Sequence, residues 1–237
     1  MQPAPRPDLR LSAFFKRPEM GTALGFLAVY VFFAIMGGPV FIGAPGWSSW
    51  LNIAAEVGII ALPVGLLMIA GEFDLSVGSV VPAASMTTAM LAGHYDFPAL
   101  VAIFGGLAVG LGVGFINGII VTRSAIPSLI VPIGVMFAVM GLTLGIAVMI
   151  KGSTSVSYVP APLAKAMLGQ FINGMFNVAI FWWLGFVALA YFVLHMSPLG
   201  NWIFALGGDR ESARNAGIPT RKLTIGMFMA SRFCAAF

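Results

Sequence analysis

Long apolar runs, separated by short polar segments, follow one another through most of this chain. A helix that crosses a bilayer needs about 20 apolar residues, and six runs reach or approach that length. They cover residues 20–42, 50–70, 75–92, 99–122, 126–150 and 176–195, of which the third is short. A last apolar segment opens at Leu223 and stops at Phe237, which is less than a crossing. The pattern predicts an all-α polytopic transmembrane helix bundle of six spans plus a truncated seventh.

The two ends of the chain differ in character. Residues 1–19 contain four basic residues and are predicted to form an N-terminal tail, whereas residues 20–237 form one transmembrane domain. An apolar segment too short to cross the membrane is an unfavourable end for a protein, because its hydrophobic residues would be left exposed. We therefore expect this domain to be incomplete at its C-terminus, and a tail that packs as a half-helix is the less favoured alternative.

The composition supports lipid as the solvent of this chain. Hydrophobic residues make up 59% and charged residues only 8%, whereas a soluble domain carries roughly a quarter charged residues. The mean hydropathy is +1.00. Amphipathic helices of a soluble core would alternate apolar and charged faces, but long stretches here carry no charge at all.

The net charge of +4 does not indicate a nucleic-acid partner, because the basic residues lie between the apolar runs and form no continuous face. Insertion tends to keep Lys and Arg on the cytoplasmic side. An N-terminus inside the cell places nearly all of them there: Arg6, Arg10, Lys16, Arg17, Arg123, Arg210, Arg214, Arg221 and Lys222. The opposite side receives only Lys151 and Lys165, which agrees with six alternating spans.

Two carboxylates interrupt the apolar pattern within residues 71–79. Because an ionised carboxylate is costly in a bilayer, Glu72 and Asp74 are expected to face an aqueous path, a partner or an interface. We favour Asp74 as the N-cap of a helix that begins near Leu75 over direct contact with a substrate. Glu56, inside the second span, is expected to face the protein interior or a cavity.

Residues 206–219 have the sequence pattern of a short capped helix on the cytoplasmic side. Asp209 is the predicted N-cap, Glu211 lies in the first turn, and Gly217 is the predicted left-handed stop. Ala213 and Ala216 are three residues apart and share a small face that a partner could approach. An ordinary capped loop helix explains the spacing equally well.

Small residues predict close helix packing in the fourth span. Gly106, Gly110 and Gly114 repeat at intervals of four, the spacing that lets helix backbones approach each other in membranes. Asn117 follows on the same helix and is expected to contribute to packing, with an interhelical hydrogen bond as a further role.

Catalytic or cofactor chemistry is not indicated. His94 and His195 lie at span ends on opposite predicted sides, which argues against a shared metal site. The sequence contains no glycine-rich phosphate loop that ends in Lys and Ser or Thr. If ATP drives this protein, another subunit must bind it.

The segment 151–175 on the outer side is expected to hold an interfacial amphipathic helix around 163–168, or else a docking site for a partner.

Three stretches together resemble the permease family of bacterial ribose/xylose-type ABC sugar importers. Residues 71–79, which include Asp74, Ser76, Gly78 and Ser79, are similar to the family signature GG-I-DLSVGS. The others are Asn117-Gly118 with residues 126–131, and residues 205–218. Glu72 departs from the signature, because the family usually has a second glycine at its position.

The resemblance implies a transport subunit without its own catalytic site, in the bacterial plasma (inner) membrane. It implies that the motif residues Asp74, Ser76, Gly78 and Ser79 lie near the translocation path. The implied partners are an ABC ATPase subunit that holds ATP and Mg²⁺, a periplasmic sugar-binding protein, and a second permease chain. The coupling helix that docks on the ATPase would be formed by Gly208, Asp209, Glu211, Ala213, Arg214, Ala216 and Gly217.

An alternative from another class stays open at this point. An ion-coupled secondary transporter would use intramembrane carboxylates near the midplane, here Glu56, Glu72 or Asp74.

Overall fold

The computed structural model describes residues 18–124, 126–156 and 162–237, and the tail predicted over residues 1–19 lies almost wholly outside them. The chain divides into two compact units, Met1–Leu51 and Asn52–Phe237. The division falls inside the second helix, whose two parts are described with their own units. The predicted domain boundary at residue 19 stays a prediction.

The first unit contains helix α1, Pro18–Ile42, and the beginning of α2, Ala44–Ile69. Gly38 breaks α1 with a φ of +55°, a conformation open to glycine, and Pro39 follows it. Tyr30 packs near Trp50 and Phe41, and the rings of Trp47 and Trp50 lie 4.5 Å apart between centroids. Aromatic contacts thus hold this helical corner together.

In its described part, the second unit is built from the rest of α2 and seven further helices. They are α3 (Val77–Gly93), α4 (Ala99–Arg123), α5 (Ile130–Lys151), α6 (Ala179–Met196), α7 (Pro198–Gly208), α8 (Arg210–Asn215) and α9 (Thr220–Ala236). Between α5 and α6 lie two short helical turns, Pro162–Ala164 and Lys165–Gly169, and an antiparallel hairpin of β1 (Phe171–Ile172) and β2 (Phe176–Asn177).

Each predicted span overlaps one helix, and the prediction of an all-α membrane helix bundle is confirmed, whereas the number of six spans plus a seventh stays a prediction. Within the described residues, five helices are long and apolar enough to cross a membrane, namely Met20–Ile42, Ala44–Ile69, Ala99–Arg123, Ile130–Lys151 and Ala179–Met196. Helix α3 is apolar but shorter. The helix α7 was not predicted, and α5 begins four residues later than expected, after Pro127.

Helix α4 lies at the centre of the second unit and packs against α3, α5 and α9. Its glycines form the contact face. A Cβ on Gly114 would lie 2.7 Å from the Phe228 carbonyl oxygen, and one on Gly118 would lie 2.7 Å from Ile225 Cα. Gly110 meets the same helix at the Arg232 carbonyl, whereas Gly106 faces α3. The backbones of α4 and α9 are therefore in close contact along three turns.

Helix α9 turns one side of its surface toward this contact. Its buried residues recur at helical spacing, at Thr220, Thr224, Met227, Phe228, Ser231, Arg232 and Ala235. Phe228 joins Leu67 of α2, Val121 of α4 and Ile203 of α7 in one hydrophobic cluster. The last apolar segment of the sequence is thus a helix packed along the bundle, and the predicted incompleteness of the domain at its C-terminus stays a prediction.

The hairpin after α5 is fastened to the early part of α2. Asn173 and Gly174 form its turn with positive φ, and the Asn52 side chain donates to the Met175 carbonyl at 2.8 Å. The Asn177 N–H donates in return to Asn52 Oδ1 at 2.8 Å. Two helical turns cover the predicted amphipathic segment, and residues 157–161 before them lie outside the description.

Candidate functional site

The candidate site is centred on residues 71–76, here called the acidic loop, which joins α2 to α3. Gly71 adopts a φ of +80°, and the Glu72 N–H donates to the Leu67 carbonyl, which closes the end of α2. Ser76 occupies the N-cap position of α3, and the helix begins at Val77. The expectation that Asp74 caps this helix is therefore wrong. Its carboxylate instead accepts from the Ser76 N–H at 3.2 Å and hydroxyl at 3.1 Å.

Asp74 forms an ion pair with Arg232 of α9 in the interior of the second unit. Both side chains are 0% exposed. A charge removed from water in this way is tolerated when an opposite charge lies beside it. The pair therefore joins the acidic loop to the helix that packs against the glycine face of α4.

Further polar contacts extend from Asp74 to α4. Asn117 donates from Nδ2 to Ser76 Oγ at 2.7 Å, and it is fully buried. The Ser79 hydroxyl donates to the Ser76 carbonyl at 2.8 Å, inside the first turn of α3. We call Asp74, Ser76, Asn117 and Arg232 the buried polar cluster. It connects the acidic loop, α4 and α9.

Not every motif residue belongs to this cluster. Gly78 is exposed, and a Cβ placed on it would have no atom within 4 Å among the described residues. Glu56 is also exposed on α2, so within this chain it does not face the interior as expected.

Glu72 forms a second ion pair, with Arg210 at the start of α8. Arg210 Nη2 lies 2.6 Å from Glu72 Oε1 and also donates to Thr224 Oγ1 of α9 at 2.8 Å. The Arg210 side chain is 46% exposed, whereas that of Glu72 is 7% exposed. This pair connects the acidic loop to α8 at the edge of the protein.

The helix α8 has the capping geometry that its sequence indicated. Asp209 is the N-cap and accepts from the Ser212 N–H at 2.6 Å, and Gly217 ends the turn with a φ of +85°. Hydrogen bonds from Ser212, through its side chain and its backbone N–H, lower the pKa of Asp209. The carboxylate therefore stays charged at the positive end of the helix.

The outward surface of α8 differs from the one expected from its alanines. Ala213 is 3% exposed and packs inside the chain itself, so it offers no small face to a partner. The exposed residues around it include Gly208, Asp209, Arg210, Glu211, Ser212, Arg214, Asn215, Ala216 and Gly217. A partner that approaches α8 would therefore meet a mainly polar and charged surface.

Three segments that the charge pattern assigns to the cytoplasmic side meet at one end of the second unit. A cleft of about 460 Å³ is lined by residues of the acidic loop, of the α4–α5 connection and of the α7–α8 connection, including Glu72, Ser128 and Asp209. At the other end of α2, Asn52 contacts the hairpin of the predicted outer side. A larger apolar cavity of about 710 Å³ lies between α2, α6 and α9.

Sequence reasoning missed the partners of the two carboxylates. The charge pattern assigns Arg232 to neither side of the membrane, although it is the sole charged residue of the segment 223–237. A lone charge in an apolar helix needs a buried partner, so the position of Arg232 in the sequence could have indicated an ion pair. Within the described ranges, no group of three His, Cys, Asp or Glu side chains lies close enough to hold a metal ion.

Curated proteins similar to this chain are transport permeases. The fructose import permease protein of Rhizobium meliloti is 27% identical over 217 residues, which cover 89% of this chain and 59% of that protein. A probable ABC transporter permease protein of Sinorhizobium fredii is 30% identical over 220 residues, with 91% and 64% covered. The xylose/arabinose import permease protein of Sulfolobus acidocaldarius is 30% identical over 181 residues, with 74% and 48% covered.

The chain thus spans less than two thirds of the length of these relatives. No solved structure matches it. The family described as the permease component of the branched-chain amino acid transport system matches residues 46–237, a range that contains the acidic loop, the buried polar cluster and α8. This chain belongs to that family of transport permease components.

Proposed function

We propose that this chain is the permease subunit of an ATP-binding-cassette importer for a monosaccharide or a related small polar solute. The observation that carries the proposal is the geometry of α8, a capped helix whose exposed polar surface is joined to the acidic loop through Arg210. Such a helix offers a separate protein a surface to bind and has a direct connection to the interior of the bundle. Family membership supplies the transport context.

The sugar class rests on the relatives. Their names specify import of fructose, of xylose and arabinose, and of L-arabinose. Another relative imports autoinducer 2, and the family description refers to branched-chain amino acids. A small polyhydroxylated solute agrees best with the majority of these names.

In the proposed arrangement, six spans and the incomplete seventh cross the bacterial inner membrane with the N-terminus in the cytoplasm. The partners are an ABC ATPase subunit that binds ATP and Mg²⁺, a periplasmic sugar-binding protein and a second copy of this chain as a homodimer. The chain itself supplies no catalytic site. Closure of the ATPase pair displaces α8, and the displacement shifts the bundle between inward and outward openings.

The ion-coupled alternative has no specific observation in its favour. Both carboxylates of the acidic loop are already paired with arginines, Glu72 with Arg210 and Asp74 with Arg232. Glu56 is exposed on α2 and has no ion-pair partner among the described residues.

An uptake experiment tests this function. The chain is expressed with its neighbouring ATPase and binding protein in cells that lack sugar importers, and uptake of labelled fructose, xylose, arabinose, ribose and leucine is measured. We expect one sugar to accumulate, and accumulation to stop when the phosphate-loop lysine of the ATPase is replaced. Uptake that persists without ATP hydrolysis and collapses with a protonophore would establish the ion-coupled transporter instead.

A docking experiment tests the α8 surface directly. Arg214 is exposed on α8 and belongs to no ion pair in the described part of the chain, so Arg214→Glu reverses a surface charge without disturbing the interior. We expect reduced co-purification of the ATPase. The matched control is Lys151→Glu, an exposed basic residue at the end of α5 on the predicted outer side, and it should leave co-purification unchanged.

A further inference from the structure

Arg210 is the point at which α8 is joined to the acidic loop. One of its guanidinium nitrogens, Nη2, contacts both Glu72 Oε1 and Thr224 Oγ1, at 2.6 Å and 2.8 Å. Charge-assisted hydrogen bonds of this length are among the stronger polar contacts in proteins. A displacement of the first turn of α8 is therefore resisted by the acidic loop and by α9 at the same time.

The acidic loop passes this constraint to the centre of the bundle. Glu72 lies two residues before Asp74, which is paired with Arg232 and bonded to Ser76. Ser76 in turn accepts a hydrogen bond from Asn117 of α4. Polar contacts, joined by the backbone between Glu72 and Asp74, thus run from the exposed α8 to the buried contact between α4 and α9.

Because the Arg210 side chain is partly exposed, its contact with Glu72 can break and form again more easily than a fully buried contact could. Its side chain is 46% exposed, so its guanidinium stays in contact with water when it leaves the Glu72 carboxylate, and the cost of opening falls on the carboxylate alone. Helix α8 also packs against α7 and α9, and its Ala213 is buried. Loss of the Arg210 side chain should therefore leave α8 folded and its outward surface intact.

We propose that Arg210 is a positioning residue that couples α8 to the acidic loop, so that movement of α8 reaches the buried polar cluster through the Glu72 contact. This inference rests on the proposed function, because it needs an ATPase that moves α8. It assigns Arg210 a role in transmission rather than in the affinity for the ATPase. Coupling between two sites amounts to about 5–150-fold in typical proteins, so the loss should be measurable.

The test uses the complete importer in proteoliposomes, with the ATPase and the sugar-binding protein present. Three quantities are measured, namely co-purification of the ATPase, ATP hydrolysis with and without sugar-loaded binding protein, and sugar uptake per ATP hydrolysed. The variants are Arg210→Gln, Glu72→Gln, the exchanged pair Glu72→Arg with Arg210→Glu, and Arg210→Lys. The matched control is Arg123→Gln, an exposed arginine at the cytoplasmic end of α4 that has no ion pair in the described ranges.

We expect Arg210→Gln and Glu72→Gln to retain the ATPase and its basal hydrolysis but to lose uptake per ATP by about ten-fold, within the usual range of coupling free energies. The exchanged pair or Arg210→Lys should recover part of the loss, and the control should behave as wild type. If Arg210→Gln failed to fold, Glu72→Gln, which changes only the charge, would carry the test alone.

Two results would overturn the inference. Unchanged uptake per ATP in both single variants would show that the contact transmits nothing. Loss of ATPase co-purification in parallel with uptake would show that Arg210 is a docking residue. Failure of the proposed function is distinguishable, because the wild-type chain would then show neither ATPase association nor ATP-dependent uptake.

Discussion

The acidic loop carries two ion pairs of the same chemistry in opposite surroundings. Asp74 and Arg232 are both fully buried, whereas Arg210, the partner of Glu72, is 46% exposed. Opening the Asp74 pair leaves two charges without solvation, whereas opening the Glu72 pair leaves only the Glu72 carboxylate poorly solvated, because Arg210 reaches water. Two residues apart in the acidic loop, the Asp74 pair is thus fixed and the Glu72 pair can open. We infer that the Asp74 pair holds the acidic loop in place and that movement of α8 reaches the loop through Glu72.

The largest expected effect comes from breaking the buried pair. Arg232→Met should leave the Asp74 carboxylate buried without compensation and lower the free energy of unfolding by about 3–5 kcal/mol. Denaturant titration of the purified chain in mixed micelles measures this change.

A second variant separates the cost of an unpaired charge from that of lost packing. Asp74→Asn combined with Arg232→Met removes both charges and should be less destabilising than Arg232→Met alone, because no buried charge remains. Equal losses in the single and double variants would show that the ion pair is not what Arg232 contributes.

The next effect comes from separating the two helices that enclose the buried pair. In Gly114→Ala, the new Cβ would lie 2.7 Å from both Met229 Cα and the Phe228 carbonyl oxygen, so α9 must move. Overpacking of this kind costs about 1–3 kcal/mol. Gly112→Ala on the same helix is the matched control, since its Cβ would meet no atom within 4 Å. Thermal unfolding should show a loss in Gly114→Ala, and a similar loss in the control would refute the contact.

The two regions differ in how far the sequence could predict them. Caps, glycines and charge blocks act over a few residues, so the ends of α8 at Asp209 and Gly217 and the packing glycines of α4 could be located from spacing. The ion pairs join residues 138 and 158 positions apart, taking 210 minus 72 and 232 minus 74. No local pattern specifies such partners. The burial of Ala213 was missed for the same reason, because helical spacing defines a face but not what covers it.

A smaller effect is expected at the cap that positions the exposed pair. Asp209→Ala removes the acceptor of the Ser212 N–H and should speed hydrogen exchange of that amide, whereas Asp209→Asn should retain most of the protection because Asn also caps. The measurement is amide exchange at neutral pH by mass spectrometry.

The cap also has a defined pH dependence. Because the pKa of Asp209 in the folded chain is lowered below its ordinary value of 3.8, the charged cap contributes fully above that value. Its contribution is lost as the pH falls through the lowered pKa. Protection of the Ser212 amide, corrected for intrinsic exchange, should therefore be constant from neutral pH down to the ordinary value. A decline near pH 6 would point to a different titrating group.

The smallest effect on stability is expected from Glu72→Gln, although this is the change expected to reduce uptake per ATP. The substitution removes one charge of the pair, and Arg210 can turn to water, so the free energy of unfolding should fall by less than about 1 kcal/mol. Arg210→Gln should cost more, because it leaves a carboxylate that is only 7% exposed without its partner. The same denaturant titration in micelles orders the two variants. Were Glu72→Gln as destabilising as Arg232→Met, both pairs would be structural and the acidic loop would have no movable end.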